Sequence, residues 1–181
     1  QSKDVTCSFI QFDILRSAML LSDKTIEELI QGGEISVDPP IDSEQIQPAS
    51  LDVRFGRKLY DIANDELSTG EEGEELEIEP GVPYLAHTVG DIQVPDYVAA
   101  QLTGRSSYGR LFVTVHQTAG WIDPGWSGEI TLEIYNLNND PVSIEVGERV
   151  GQLVFFFTDR RSRGYEGQYQ GQSGITRSGY E

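Results

Sequence analysis

The sequence predicts an all-β domain with short peripheral helices, and three observations carry that expectation. From Gly81 onward the chain breaks into short apolar runs separated by turn signals: VPYLAHTV, DIQVPDYVAAQLTG, RLFVTVHQ, GEITLEIYNLNND and PVSIEVGERVGQLVFFF. Helical periodicity is confined to one short stretch between Ser22 and Gly33. The chain has 181 residues, 38% of them hydrophobic and 24% charged, which is the composition of one globular domain long enough to bury a core.

Each element follows from local pattern. Residues 1–18 lack an initiator Met, a basic start and an extended apolar run, whereas Met19 opens MLLSDKTIEELIQGG, which begins like a native domain. Residues 1–18 are therefore expected to be an extension. Ser22 precedes Asp23 and Lys24, and Ile26, Leu29 and Ile30 repeat at helical spacing until Gly32 and Gly33 stop the pattern. Beyond Pro39 and Pro40, Leu51, Val53 and Phe55 alternate with Asp52 and Arg54, as in a half-buried strand. The acidic, Gly-punctuated stretch from Asn64 to Glu79 has no apolar anchor before Leu76 and Ile78 and reads as a solvated loop. The β runs then continue, which makes residues 19–164 the body of the domain. From Thr158 the chain is rich in Gly, Arg, Gln, Ser and Tyr, with little to form a core, and residues 165–181 are expected to be a flexible lid.

Charge excludes some classes of partner. Thirteen Lys plus Arg stand against 30 Asp plus Glu, a formal net charge of -17, and only three of the basic residues are lysines (Lys3, Lys24, Lys58). Such a surface opposes a grip on duplex nucleic acid, yet it leaves room for an anionic small molecule wherever arginines converge. Acidic excess with scarce lysine also suits a chain hydrated in concentrated salt, a halophilic expectation. No apolar run approaches the roughly 18 residues of a membrane span. Cys7 is the sole cysteine, so neither an internal disulfide nor a thiolate zinc site is expected, and a reducing, cytoplasmic location fits.

Two segments carry the chemistry. TGRSSYGR (103–110) gathers two glycines, two serines and two arginines just after an apolar strand. Glycine permits close backbone approach to an anion, the hydroxyls donate, and arginine offers a planar fork to phosphate oxygens. The competing reading, a strand end followed by a serine-capped helical turn, is the more frequent fate of such short motifs. In HQTAGWIDPGWSGEITLEIYN (116–136), Asp123-Pro124-Gly125 makes a turn, and Ile130, Leu132 and Ile134 alternate with Thr131, Glu133 and Tyr135. Glu133 therefore projects away from the isoleucines, where composition alone would leave it facing solvent.

Taken together and in order, QPASLDVR, GRSSYGR, HQTAGWIDPGWSGEITLEIYN, GERVGQLVFF and GQYQGQSG resemble the dCTP deaminase and dUTPase superfamily, from about Met19 to the C-terminus. The resemblance implies a homotrimer of distorted β-barrel subunits of the β-clip or jelly-roll type, with nucleotide sites shared between subunits and an ordered C-terminal lid. It makes Glu133 the group that activates water for attack on C4 of cytosine and protonates the departing amine. Ser106 and Arg110 would orient the water and hold Glu133 in its working protonation state. Arg105 and Ser107 would assist with the phosphates and their Mg²⁺, Asp123 would accept the sugar 3′-hydroxyl, and Tyr165, Gln168, Tyr169 and Gln172 would bind nucleotide from the lid. No metal is assigned to protein side chains. Zinc deamination is disfavoured because the H-x-E and P-C-x-x-C signature is missing, and His87 and His116 read as structural.

Two departures stand out. Gln168 occupies the position where several relatives carry Lys, which should weaken triphosphate binding unless Arg163 or Arg177 substitutes. Gly120-Trp121, where strictly deaminating relatives place a large basic pair, resembles the bifunctional branch that carries dCTP through to dUMP. The leading expectation is dCTP deaminase giving dUTP and ammonia. The alternatives are a bifunctional enzyme giving dUMP, a dUTPase, or a catalytically silent nucleotide-binding protein. Feedback by dTTP is left open.

Overall fold

The structure, a computed structural model, describes residues 19–179; the expected extension, residues 1–18, lies outside them. Helix α1 (Asp23–Gln31) buries Ile26 and Leu29 and stops at Gly32, as the spacing predicts. Ser22 holds the N-cap position in extended conformation, although its side chain makes no capping bond.

Strands β1 (Ser36–Asp38), β2 (Ile46–Gln47), β3 (Ser50–Asp61), β4 (Glu66–Thr69), β5 (Glu75–Ile78), β6 (Pro83–Thr88), β7 (Asp91–Gln93) and β8 (Val98–Gly104) precede helix α2 (Ser106–Arg110). After it come β9 (Val113–Thr114), β10 (Trp121–Ile122), β11 (Ser127–Gly128), β12 (Thr131–Asn136), β13 (Val142–Glu145) and β14 (Arg149–Phe157). The main sheet runs β10-β8-β14-β3-β6-β12-β9, with β2 and β4 also paired to β3; β1-β7-β11 and β13-β5 form two smaller sheets. The all-β expectation holds.

Strand β3 explains the curl. Its first half pairs with β14 (Leu51↔Leu153, Val53↔Gly151), and its second half pairs with β6 (Leu59↔Ala86, Tyr60↔Leu85), with a register shift between Phe55 and Leu59. A strand that changes partners through an irregularity bends and twists locally, and so folds one half of the sheet toward the other. At the bend the ring of His87 lies so close that a Cβ on Gly56 would stand 2.5 Å from it, so no larger residue fits. Phe55, Leu102, Leu132, Leu153 and Phe155 fill the interior between the halves.

Two local expectations are corrected. The stretch 64–79 is not a plain solvated loop: β4 pairs with β3, β5 pairs with β13, and Ile78 is fully buried. In β5 the glutamates alternate with Leu76 and the buried Ile78, whereas β4 is exposed along its whole length and is recognised only by its pairing with β3. Asp52 does not sit on a solvent-facing side of β3; it is 1% exposed. Among the described residues, no helix is long and apolar enough to cross a membrane.

Candidate active site

Strand register sets the floor of a cavity of about 650 Å³. Tyr60 of β3, Leu85 of β6 and Glu133 of β12 lie directly across from one another, and all three line it. Directly paired residues share a face. Leu132 and Ile134 point into the core while Glu133 is half-buried, as the alternation predicts. Its carboxylate is not simply solvated: Oε2 accepts the backbone N–H of Gln117 at 2.6 Å, and the Gln117 side chain donates to Thr114 Oγ1 at 2.7 Å. The HQTA segment therefore fixes one carboxylate oxygen.

The IDPGW turn supplies one wall. Trp121, Asp123 and Trp126 line the cavity, and Trp121 Nε1 donates to Asp123 Oδ1 at 3.2 Å. Asp123 is exposed and keeps acceptor capacity for a hydroxyl.

The C-terminal segment supplies the other wall. Tyr165, Tyr169 and Gln172 line the cavity, as do Thr176 and Arg177. The segment is bound to its own chain by hydrogen bonds, with little apolar burial. Tyr165 N donates to Pro124 O at 2.8 Å, Trp126 Nε1 to Tyr169 O at 3.0 Å, and Gly171 N to Ser127 O at 2.8 Å. Gln172 adds a bridge to Gly128. Gln168 is exposed and is not part of the lining. Of its two candidate substitutes, Arg177 is at the cavity, with its guanidinium 4.9 Å from the Tyr60 ring centroid and 3.6 Å from Asp65, while Arg163 is not. Sequence reasoning passed over Tyr60, and its place opposite Leu85 is set by a register that composition does not reveal.

Arg105, Ser106, Ser107 and Arg110 do not line this cavity. They lie on α2 and its entry. Arg105 occupies the N-cap position and no side chain caps the helix, so the serine cap is absent and Ser106 and Ser107 are exposed in the first turn. Tyr108 anchors the helix from beneath: it is 4% exposed, and burial with the neighbouring Glu148 pushes its phenol well above the usual range. Arg105 is held from the sheet, with Nε 3.2 Å from Asp52 Oδ2 and Nη1 2.9 Å from Arg149 O; Arg149 Nη1 lies 3.5 Å from the same carboxylate. Burial pushes the Asp52 carboxyl up, and the guanidiniums of Arg105, Arg149 and Arg54 oppose that shift. The arrangement holds two cations side by side, each with part of its surface facing water, which suits an anion with several oxygens.

The two histidines sit differently. His87 Nδ1 lies 2.9 Å from Thr88 O, and burial lowers its basicity against the pull of Glu129 3.6 Å away. His116 has a buried Nδ1 without a hydrogen-bond partner. Among the described residues, no group of three or more His, Cys, Asp or Glu is placed to hold a metal ion.

The chain matches known proteins over most of its length. A family profile described as dCTP deaminase-like matches residues 20–158. A Methanobrevibacter smithii protein named "dCTP deaminase, dUMP-forming" is 48% identical over 153 residues, covering 75% of this chain and 79% of its own. A Persephonella marina protein of the same name is 40% identical over 175 residues, covering 88% and 96%. The crystal structure of 2′-deoxycytidine 5′-triphosphate deaminase from Agrobacterium tumefaciens superposes with a TM-score of 0.65 at 25% identity over 78% of this chain, which spans 49% of that one. Ordered motifs, curled sheet and relatives converge: the chain belongs to the dCTP deaminase-like family.

Proposed function

We propose that this chain is an enzyme that hydrolyses dCTP to dUMP, releasing ammonia and diphosphate. The observation that carries the reading is Glu133, a carboxylate on the floor of a cavity walled by Asp123, Tyr165, Tyr169 and Gln172. The product is read from the relatives, which are named dUMP-forming at 40–48% identity. The expectation of dUTP as end product gives way to this alternative, with which Gly120-Trp121 already agreed.

In the proposed reaction Glu133 takes a proton from water as the oxygen bonds to C4 of cytosine and the C4=N3 double bond opens, then gives that proton to N4, the C4–N4 bond breaks to release ammonia, and the remaining proton of the water ends on N3 as the C4=O of uracil forms. A carboxylate beside the ring serves both transfers. Gln117 N–H, holding one oxygen, leaves the other for the water. Asp123 would accept the 3′-hydroxyl. A second water then attacks the α-phosphorus, the bond from it to the bridging oxygen of the β-phosphate breaks, and diphosphate departs. The triphosphate enters as its Mg²⁺ salt. Arg105 and Ser107 would hold it, and Ser106 and Arg110 would serve the base-side chemistry. Since these four residues lie away from the Glu133 cavity, a neighbouring copy is needed to bring them there, and we take the working form to be a homotrimer.

Incubation with dCTP and Mg²⁺, followed by separation of dUTP, dUMP, ammonia and diphosphate, tests the reading. Ammonia, diphosphate and dUMP formed in equal amounts are expected. Accumulating dUTP would reduce the activity to deamination, and absence of ammonia would overturn the assignment.

A further inference from the structure

Glu129 holds the C-terminal segment through its backbone N–H, its carbonyl and one carboxylate oxygen. Its N–H donates to Gln172 O at 2.9 Å, and its C=O accepts from Gln172 Nε2 at 2.7 Å. Its carboxylate Oε2 accepts the backbone N–H of Gly174, with Ser173 Oγ 3.4 Å away. The side chain is only 19% exposed. The one ring beside it, His87, is held neutral by burial at ordinary pH, so it does not compete as a cation for the carboxylate. Charge-assisted bonds to backbone N–H groups are among the stronger hydrogen bonds.

Gly174 suits the contact for a second reason. Its φ of +64° is a left-handed conformation that costs other residues energy, and it turns the N–H toward Glu129. A Cβ there would meet Lys58 Nζ at 3.8 Å and Glu129 Oε2 at 3.9 Å, ordinary contact distances, so the position is restricted by backbone conformation and not by space. One residue further along the sheet face, Thr131 Oγ1 accepts from Thr176 N at 3.2 Å. Between these points and the Pro124–Ser127 turn, the segment lines the Glu133 cavity with Tyr165, Tyr169 and Gln172.

We propose that Glu129 is a positioning residue: its carboxylate clasps the C-terminal segment at Gly174 and so sets Gln172, Tyr169 and Tyr165 against the cavity. The proposal rests on reading that cavity as the nucleotide site. Glu129 touches no reacting atom in this role and acts through the segment it holds.

The experiment uses the full chain in three variants. Glu129→Ala removes the acceptor, Glu129→Gln keeps an oxygen for the Gly174 N–H, and Gly174→Ala strains the partner backbone. Limited proteolysis of the nucleotide-free protein reads the clasp directly: Glu129→Ala and Gly174→Ala should be cut within residues 165–179 about tenfold faster than wild type, with Glu129→Gln much closer to wild type. With dCTP and Mg²⁺, KM should rise about tenfold in the first two variants while kcat falls less, and Glu129→Gln should recover most of the loss. An unchanged thermal midpoint of the core would show that folding is intact. Equal cleavage rates in wild type and Glu129→Ala would overturn the clasp. Because the proteolysis needs no nucleotide, it still decides the matter if wild-type protein fails to act on dCTP, a result that would instead overturn the proposed function.

Discussion

Glu133 shows what a single residue contributes beyond its chemistry. Its position on β12 aims the carboxylate outward, and Gln117 N–H fixes one oxygen. Glu133→Gln preserves an oxygen for that bond and removes the proton acceptor, so kcat for ammonia release should fall by about 10²–10⁴-fold with KM nearly unchanged. Steady-state kinetics on dCTP check this, and wild-type deamination by the variant would sink the mechanism. His87 offers a second residue-scale test. Its folded basicity is lowered by burial, and the charged groups that face it are Glu129, Lys58 and Arg57. The unfolded chain therefore takes up this proton first as pH falls. Stability should be full above about pH 6.5 and decline below it, by at most about 1.4 kcal/mol per pH unit for one proton. Urea melts at pH 7.5 and 5.5 should show the loss, and His87→Gln should flatten it. Of these side chains, Glu133 was legible through its alternation and its place in an ordered set of motifs. Glu129 and Asp52 were not, because their meaning lies in partners 45 and 53 residues away, Gly174 and Arg105.

At the scale of elements, the strands built from apolar runs were legible: β8, β12 and β14 all fall within them, β12 and most of β14 with alternating burial. The pairings of β4 and β5 were not, since a strand exposed throughout, like β4, or one alternating with glutamates, like β5, has the composition of a loop. The C-terminal segment is a different case. It has too little apolar content for a core, yet it is ordered on the protein by hydrogen bonds to residues 124–131. Segments held in this manner are removable. Deleting residues 165–181 should leave the β domain folded, with an unchanged far-ultraviolet dichroism spectrum, while KM rises and kcat falls together. Full activity in the truncated protein would show that the segment plays no part in the site.

At the scale of the molecule, the excess of 30 acidic over 13 basic side chains means that self-repulsion opposes the compact state. Salt at about 1 M shortens the Debye length to about 3 Å, so the thermal midpoint should rise between 0.1 and 2 M KCl. A falling midpoint would show that the ion pairs around Asp42, Asp52 and Glu71 matter more than the net field.

The order of strands has a consequence for the birth of the protein. β14 does not sit at the margin of the main sheet; it lies between β8 and β3, pairing with one through Gly151–Phe157 and with the other through Arg149–Leu153. Its two neighbours are therefore made first and wait, each with an unmatched edge, while 44 residues separate the end of β8 at Gly104 from the start of β14 at Arg149. On the ribosome, the β3–β4 hairpin and the pairing of β3 with β6 can form early because both partners are already out, and the central seam closes last. A chain stalled or cleaved before Arg149 would present two open edges at once, the condition most apt to recruit another chain.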